Sequence, residues 1–212
     1  RTTSGGGKQL GATHSQTPDV IFAHFPGLKV VAPATPADAK GLLKSAIRGR
    51  DPVLFIEHST MYQERGEVPE GVDVLVPIGK SDIKRAGKDV TLITYGGSLW
   101  KTLDAATALA AEGIEAEVID LRSLRPLDDE TIIASVKRTR RAVVIDEGWR
   151  SGSLSAEIAA RIQEAAFWWL DAPVGRVCSV EVPMPYPRHL EEAAIPQVPA
   201  IVAAARAALA KG

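Results

Sequence analysis

The sequence predicts an α/β protein of mostly parallel sheets covered by helices, and three observations carry that prediction. Runs of β-branched and aliphatic residues alternate along the chain with segments of helical apolar spacing. Some runs, "PVLFIEH" (52–58) among them, are almost continuously apolar, as strands covered on both faces are. The helical segments also carry start and stop signals: Thr35-Pro36 opens one and Gly113 closes another.

Taken in order, "LKVVAP" (28–33) is a strand, "TPADAKGLLKSAIRGR" (35–50) a helix with Thr35 as N-cap, and 52–58 the strand that completes a βαβ unit. From Ser59 to Gly87 glycine, proline and charge replace helical periodicity, so this stretch reads as a connection with short extended pieces. A first domain over 1–78 and a linker over 79–88 follow. The second domain, 89–212, repeats the alternation more regularly, with strands at 89–96, 115–121, 141–148 and 176–182. Its helices lie at 98–113, 125–139, 153–167 and 198–212. Asp128 is the N-cap of the second of these, and Glu130 in its first turn suits the helix dipole.

With 212 residues, 45% of them hydrophobic, the chain has enough apolar material for one large core or two modest ones. A net charge of -1 excludes a polybasic footprint, and with it nucleic acid or an anionic membrane surface as the expected partner. No apolar run approaches the ~20 residues that span a bilayer. The single cysteine, Cys178 in "VCSVEV", reads as a buried structural thiol in a reducing compartment. Arg1 reads as an internal point of a longer protein.

Chemistry centres first on "GGGKQLGATHSQTP" (5–18). The triple glycine fails as a phosphate loop, because Gln9 follows Lys8 where a magnesium-binding Ser or Thr belongs. His14, among small and polar neighbours, suits a group that moves a proton near neutral pH; a loop histidine bonded to nearby backbone is the other reading. His24 reads as a packed helix-end residue, and His58 and His189 as ordinary surface or interface residues. Asp146 and Glu147 end a strand at the sheet edge where ligands often bind, but neighbours on a strand point to opposite faces, so a structural role is expected for at least one. In "FWWLDAP" (167–173), three consecutive aromatics cannot all face one core, which implies an interface.

Beyond these single features, "GATHSQ", "PGLKVVAPATPADAKGLLKSAI", "PVLFIEH", "GKDVTLITYG", "EAEVIDLRSLRPLD", "SVKRTRRAVVIDEG", "LDAPVGRV" and "VPMPYPRHLE" occur in this order over essentially the whole chain. Together they resemble the β subunits of the E1 component of 2-oxoacid dehydrogenase complexes. The pyruvate dehydrogenase branch fits best, with the branched-chain and acetoin branches open. Rival readings are a non-catalytic assembly module and another thiamine enzyme sharing the C-terminal domain.

The resemblance implies an α2β2 assembly with an E1 α subunit and a second β subunit, holding thiamine diphosphate and Mg2+ between α and β. It implies oxidative decarboxylation of a 2-oxoacid and acyl transfer to a lipoyl arm of E2. Residues 1–78 would be the last part of a pyrimidine-binding-type domain, and 89–212 a transketolase-type C-terminal domain. A segment before Arg1 would carry the glutamate that activates the aminopyrimidine, so no cofactor-binding residue is expected in this stretch alone. His14 matches the active-site histidine thought to assist acyl transfer, and the glycines before it would serve loop mobility. "AIRGRDP" matches a potassium site made mainly of backbone carbonyls, at Ala46, Ile47, Gly49 and Asp51, with Gly49 where aspartate is common. Asp171 matches a carboxylate that pairs with a basic residue of the E2 subunit-binding domain, with Trp168 and Trp169 beside it. A bacterial cytoplasm, or a mitochondrial matrix or plastid in a eukaryote, is the compartment implied.

Overall fold

The computed structural model describes residues 1–71 and 73–210. Residues 211 and 212, the end of the expected helix 198–212, lie outside the described residues.

The N-terminal region contains β1 (Thr2–Ser4), α1 (Gly11–His14), α2 (Asp19–His24), β2 (Lys29–Val31), α3 (Pro36–Arg48) and β3 (Val53–His58), then a 3-10 turn over Ser59–Gln63. α3 starts where the sequence indicates: the Asp38 N–H donates to Thr35 Oγ1 at 3.1 Å, and Pro36 occupies the first turn. The C-terminal region contains β4 (Asp82–Arg85), β5 (Val90–Thr94), α4 (Ser98–Ala110), β6 (Ala116–Asp120), β7 (Ser123–Arg125), α5 (Asp129–Thr139) and β8 (Ala142–Trp149). It closes with α6 (Leu154–Ala166), a 3-10 turn over Phe167–Trp169, β9 (Gly175–Ser179), α7 (Arg188–Ala194) and α8 (Val198–Leu209).

Two sheets result. Strands β4-β6-β5-β8-β9 form the larger, parallel except for the β4–β6 pair, and β1-β3-β2-β7 the smaller, parallel except for β2–β7. Every residue of β5 and β6 is buried, because helices cover both faces of the larger sheet. Leu92, Val118, Val143 and Ile145 pack with α4 and α8 on one face, while Ile93 and Val144 pack with α5 and α6 on the other. The second of these clusters continues into Val30, Ala32 and Ile56 of the smaller sheet, so the two regions share a core.

The expected linker departs most from the structure. Residues 82–85 within 79–88 are a strand, β4, on the outer edge of the larger sheet. Its "DIKR" sequence is charged because an edge strand keeps one side in water. Lys84 reaches back to Asp38 at 2.8 Å, and Arg122 meets the same carboxylate at 3.0 Å. Burial opposes the charge on Asp38, but these cations and the Thr35 hydroxyl hold its carboxyl below the usual carboxylate range. A second departure is β7, three residues that leave the larger sheet's sequence neighbourhood to pair antiparallel with β2.

Candidate functional site

The glycine-rich stretch is a loop closed at its neck by the Gly5 N–H, which donates to the Gln16 carbonyl at 2.9 Å. Gly5 has φ +88°, and a Cβ there would fall 2.0 Å from His58 Nε2. Glycine is therefore required at this point by backbone geometry and by the ring lying on it. α1 rides inside the loop. At its end His14 is exposed, with Nδ1 2.8 Å from Thr13 Oγ1.

Beneath the loop is a buried polar cluster that sequence reading missed. His58, expected as an ordinary surface or interface residue, ends β3 at 9% exposure, buried within the chain. Its Nε2 lies 2.9 Å from Glu147 Oε2 and its Nδ1 2.8 Å from Thr60 Oγ1. The other Glu147 oxygen accepts the Gly6 N–H at 2.6 Å. Burial works against the Glu147 charge, yet the His58 ring, the Gly6 N–H and the Lys101 ammonium hold its carboxyl below the ordinary range.

Asp146 turns elsewhere, accepting from the Tyr95 hydroxyl at 2.7 Å and from the N–H groups of Gly148 and Ser155 at 2.8 and 2.9 Å. Both carboxylates are thus buried, and the strand rule that sends neighbours to different partners is obeyed. A register shift against β9 follows Asp146. Asp19, at the start of α2, completes the cluster. Burial first, then the Asp146 and Glu147 charges, push its pKa up to about 7. Its Oδ1 has no hydrogen-bond partner. Burial likewise pushes the Tyr95 phenol well above its usual range. Cys178 is half-buried, not fully buried as expected, and that burial still pushes its thiol up.

The remaining predicted residues lie apart from this cluster. Ala46, Ile47 and Gly49 surround the end of α3, with Ile47 74% exposed, and Asp51 pairs with Lys29 at 2.7 Å. Asp171 is engaged within the chain, by Arg140 at 2.6 Å and Arg141 at 3.2 Å. Phe167, Trp168 and Trp169 are all exposed, Trp168 at 86%, and Lys137 Nζ sits 4.2 Å from the Trp169 ring centroid. His24 ends α2 as expected but is exposed instead of packed.

The transketolase pyrimidine binding domain matches residues 1–64, and the transketolase C-terminal domain matches residues 79–201. The chain belongs to the transketolase family. Within it, the chain is 46% identical over 207 residues to the pyruvate dehydrogenase E1 component subunit beta of Rhizobium meliloti (strain 1021), covering 98% of this chain and 45% of that protein. Identity is also 46% over 212 residues to the acetoin:2,6-dichlorophenolindophenol oxidoreductase subunit beta of Cupriavidus necator, covering 100% of this chain and 62% of that one. The mitochondrial pyruvate dehydrogenase E1 component subunit beta of Bos taurus is 45% identical, covering 99% and 59%. These matches bear out the resemblance to E1 β subunits, and the chain spans about half the length of the curated relatives it matches. Among solved structures, a split gene transketolase described as an inactive beta4 tetramer superposes with a TM-score of 0.79 at 29% identity, over 99% of this chain and 65% of that one.

In the glycine loop of this transketolase-family chain, backbone N–H groups that could face a diphosphate are already engaged. The Gly6 and Gln9 N–H groups of the glycine loop are already donated to Glu147 and Glu191, so they cradle no phosphate. Among the described residues, no group of three or more His, Cys, Asp or Glu converges as a metal site.

Proposed function

We propose that this chain belongs to the β side of an E1 enzyme of the 2-oxoacid dehydrogenase kind, of pyruvate dehydrogenase type, working with an E1 α subunit and a second β subunit. Near-complete coverage of the chain at 46% identity to a pyruvate dehydrogenase E1 β subunit carries this reading. Thiamine diphosphate and Mg2+ would be shared with the α subunit and with the part of the longer β subunits that this stretch does not span. Residues 1–78 act as pyrimidine-type domain and 89–212 as C-terminal domain, and the carbonyls of Ala46, Ile47, Gly49 and Asp51 hold K+. The relatives' bacterial and mitochondrial sources support a bacterial cytoplasm or a mitochondrial matrix, and a plastid rests on the sequence resemblance alone.

His14 carries the chain's own chemistry in this reading. An exposed imidazole on an anchored loop can hand a proton to the sulfur released when the lipoyl disulfide opens. Acyl transfer forms a C–S bond and breaks the S–S bond, the disulfide takes up the two electrons of the oxidation, and one sulfur ends as thioester and the other as thiol. His14→Ala in the assembled enzyme should slow acyl transfer by about 10²- to 10⁴-fold while sparing decarboxylation. Separate assays of the two half-reactions check it, and equal loss in both would assign His14 to cofactor placement.

Docking of the E2 subunit-binding domain falls on Trp168, Trp169 and Asp171. Since Asp171 already holds Arg140 and Arg141, the aromatic surface supplies most of the contact. Trp168→Ala should therefore speed E2 dissociation more than Asp171→Ala, as read by surface plasmon resonance.

A second reading, an acetoin dehydrogenase β subunit, is favoured by full coverage of this chain at the same identity. Turnover of acetoin against several 2-oxoacids, with the α partner present, separates the two.

A further inference from the structure

Two buried carboxylates of the C-terminal region, distant in sequence, receive N–H groups of the single loop that presents His14. Glu147 of β8 accepts from Gly6 at 2.6 Å; Glu191 of α7 accepts from Gln9 at 3.0 Å through Oε2 and at 3.3 Å through Oε1. The Gln9 side-chain Nε2 adds a further bond to Glu191 Oε2 at 3.3 Å. Glu147 is 7% exposed and Glu191 0%. Burying a carboxylate is costly unless hydrogen bonds replace water, and charge-assisted bonds from backbone N–H groups are among the stronger ones available. The loop provides those bonds, so carboxylates and loop hold one another.

Local features reinforce the anchoring. The Gln16 carbonyl ties the neck, the His58 ring packs on Gly5 while bonding Glu147, and Gln9 adopts φ +53°, a conformation a free loop seldom keeps at a non-glycine residue. α1, only four residues long, has no side-chain cap at its start and cannot hold its own direction. Its orientation is imposed from the C-terminal region.

We propose that Glu147 and Glu191 are positioning residues that clamp the loop from Gly5 to Gln16 and thereby aim His14. The clamp deepens the reading of His14 given above and rests on it for its catalytic meaning, while the anchoring itself is independent of that reading. It makes the C-terminal region a part of the site: a residue 133 positions beyond His14 sets where the imidazole points.

The test is amide hydrogen exchange by mass spectrometry on the chain assembled with its α-type partner. Glu147→Met and Glu191→Met remove the acceptor at similar length, whereas Glu147→Gln and Glu191→Gln keep an acceptor oxygen without the charge. Exchange over residues 5–16 should rise by about tenfold in the Met variants and about threefold in the Gln variants, with residues 90–94 unchanged. Unaltered exchange over 5–16 overturns the clamp. Should a Met variant not fold, the Gln variants decide alone, by the same criterion.

A double-variant cycle adds the catalytic readout. Glu147→Gln should slow acyl transfer when His14 is present and add nothing in a His14→Ala background. A further loss in that background would mean that Glu147 supports the fold at large, and would overturn the positioning role. If His14→Ala itself leaves acyl transfer unchanged, the functional reading of His14 falls, and the exchange result still decides the clamp.

Discussion

The two sheets solve the same problem with unequal means. The larger covers both faces with helices from its own part of the chain and buries β5 and β6 completely. The smaller has strands of three, three, six and three residues, and it takes its outer strand β7 from the C-terminal region. Its loop and the start of α3 are likewise tied by Glu147, Glu191, Lys84 and Arg122 from that region. One sheet is a foundation and the other is mounted on it. The exposed histidine is on the mounted part and the carboxylates that hold its loop are on the foundation, an arrangement that fixes a reactive group through many contacts at a distance.

The comparison can be broken most forcefully in the core. Ile145→Ala and Leu42→Ala each delete a fully buried side chain and should each cost about 2–5 kcal/mol. The difference expected is in where the loss is felt. Hydrogen exchange should accelerate in both sheets for Ile145→Ala, and over 53–58 but not 90–94 for Leu42→Ala. Equal spread in the two variants would show the regions to be one cooperative unit.

The junction gives the next effect, through pH. Folded Asp19 keeps its proton up to pH about 7, whereas the unfolded chain releases it near pH 4, so the folded state binds more protons between these values. Its contribution to stability is therefore lost as pH rises through this window and is constant above it. Asp19→Asn removes the dependence and should raise stability relative to wild type by up to about 4 kcal/mol at pH 8, with little gain at pH 4. Urea unfolding at both values checks it. A gain of the same size at both would place the carboxyl in a wetter site than the cluster beneath the loop.

Helix starts distinguish the regions on a smaller scale. Asp128 caps α5 and also receives the Ser81 N–H at 2.9 Å, anchoring the chain as it enters β4. Asp128→Ala strands several donors and should cost about 2 kcal/mol. Thr35→Ala, which loses a cap whose neighbour Asp38 keeps Lys84 and Arg122, should cost about 1 kcal/mol. Thermal unfolding of the pair ranks them, and a reversed order would make the mounted region the more dependent on its own local signals.

The sequence by itself determined the α/β class, the alternation of elements, the capping of α3 by Thr35 and of α5 by Asp128, and the family. Each of these rests on local chemistry: apolar period, β-branching, and side-chain oxygens three residues from a free N–H. Strands β1 and β7 were out of reach, because three residues carry too little pattern, and β4 was hidden by the charge that an edge strand tolerates. The site divided in the same way. His14 stood out by its polar neighbourhood, but His58, beside Glu57 at a strand end, gave no sign of burial. Its partner Glu147 is 89 positions away, and only the packing of one sheet on the other brings them to 2.9 Å. Asp19 became a proton-holding carboxyl for the same reason, since both the loss of water and the charges that raise its pKa come from chain distant in sequence.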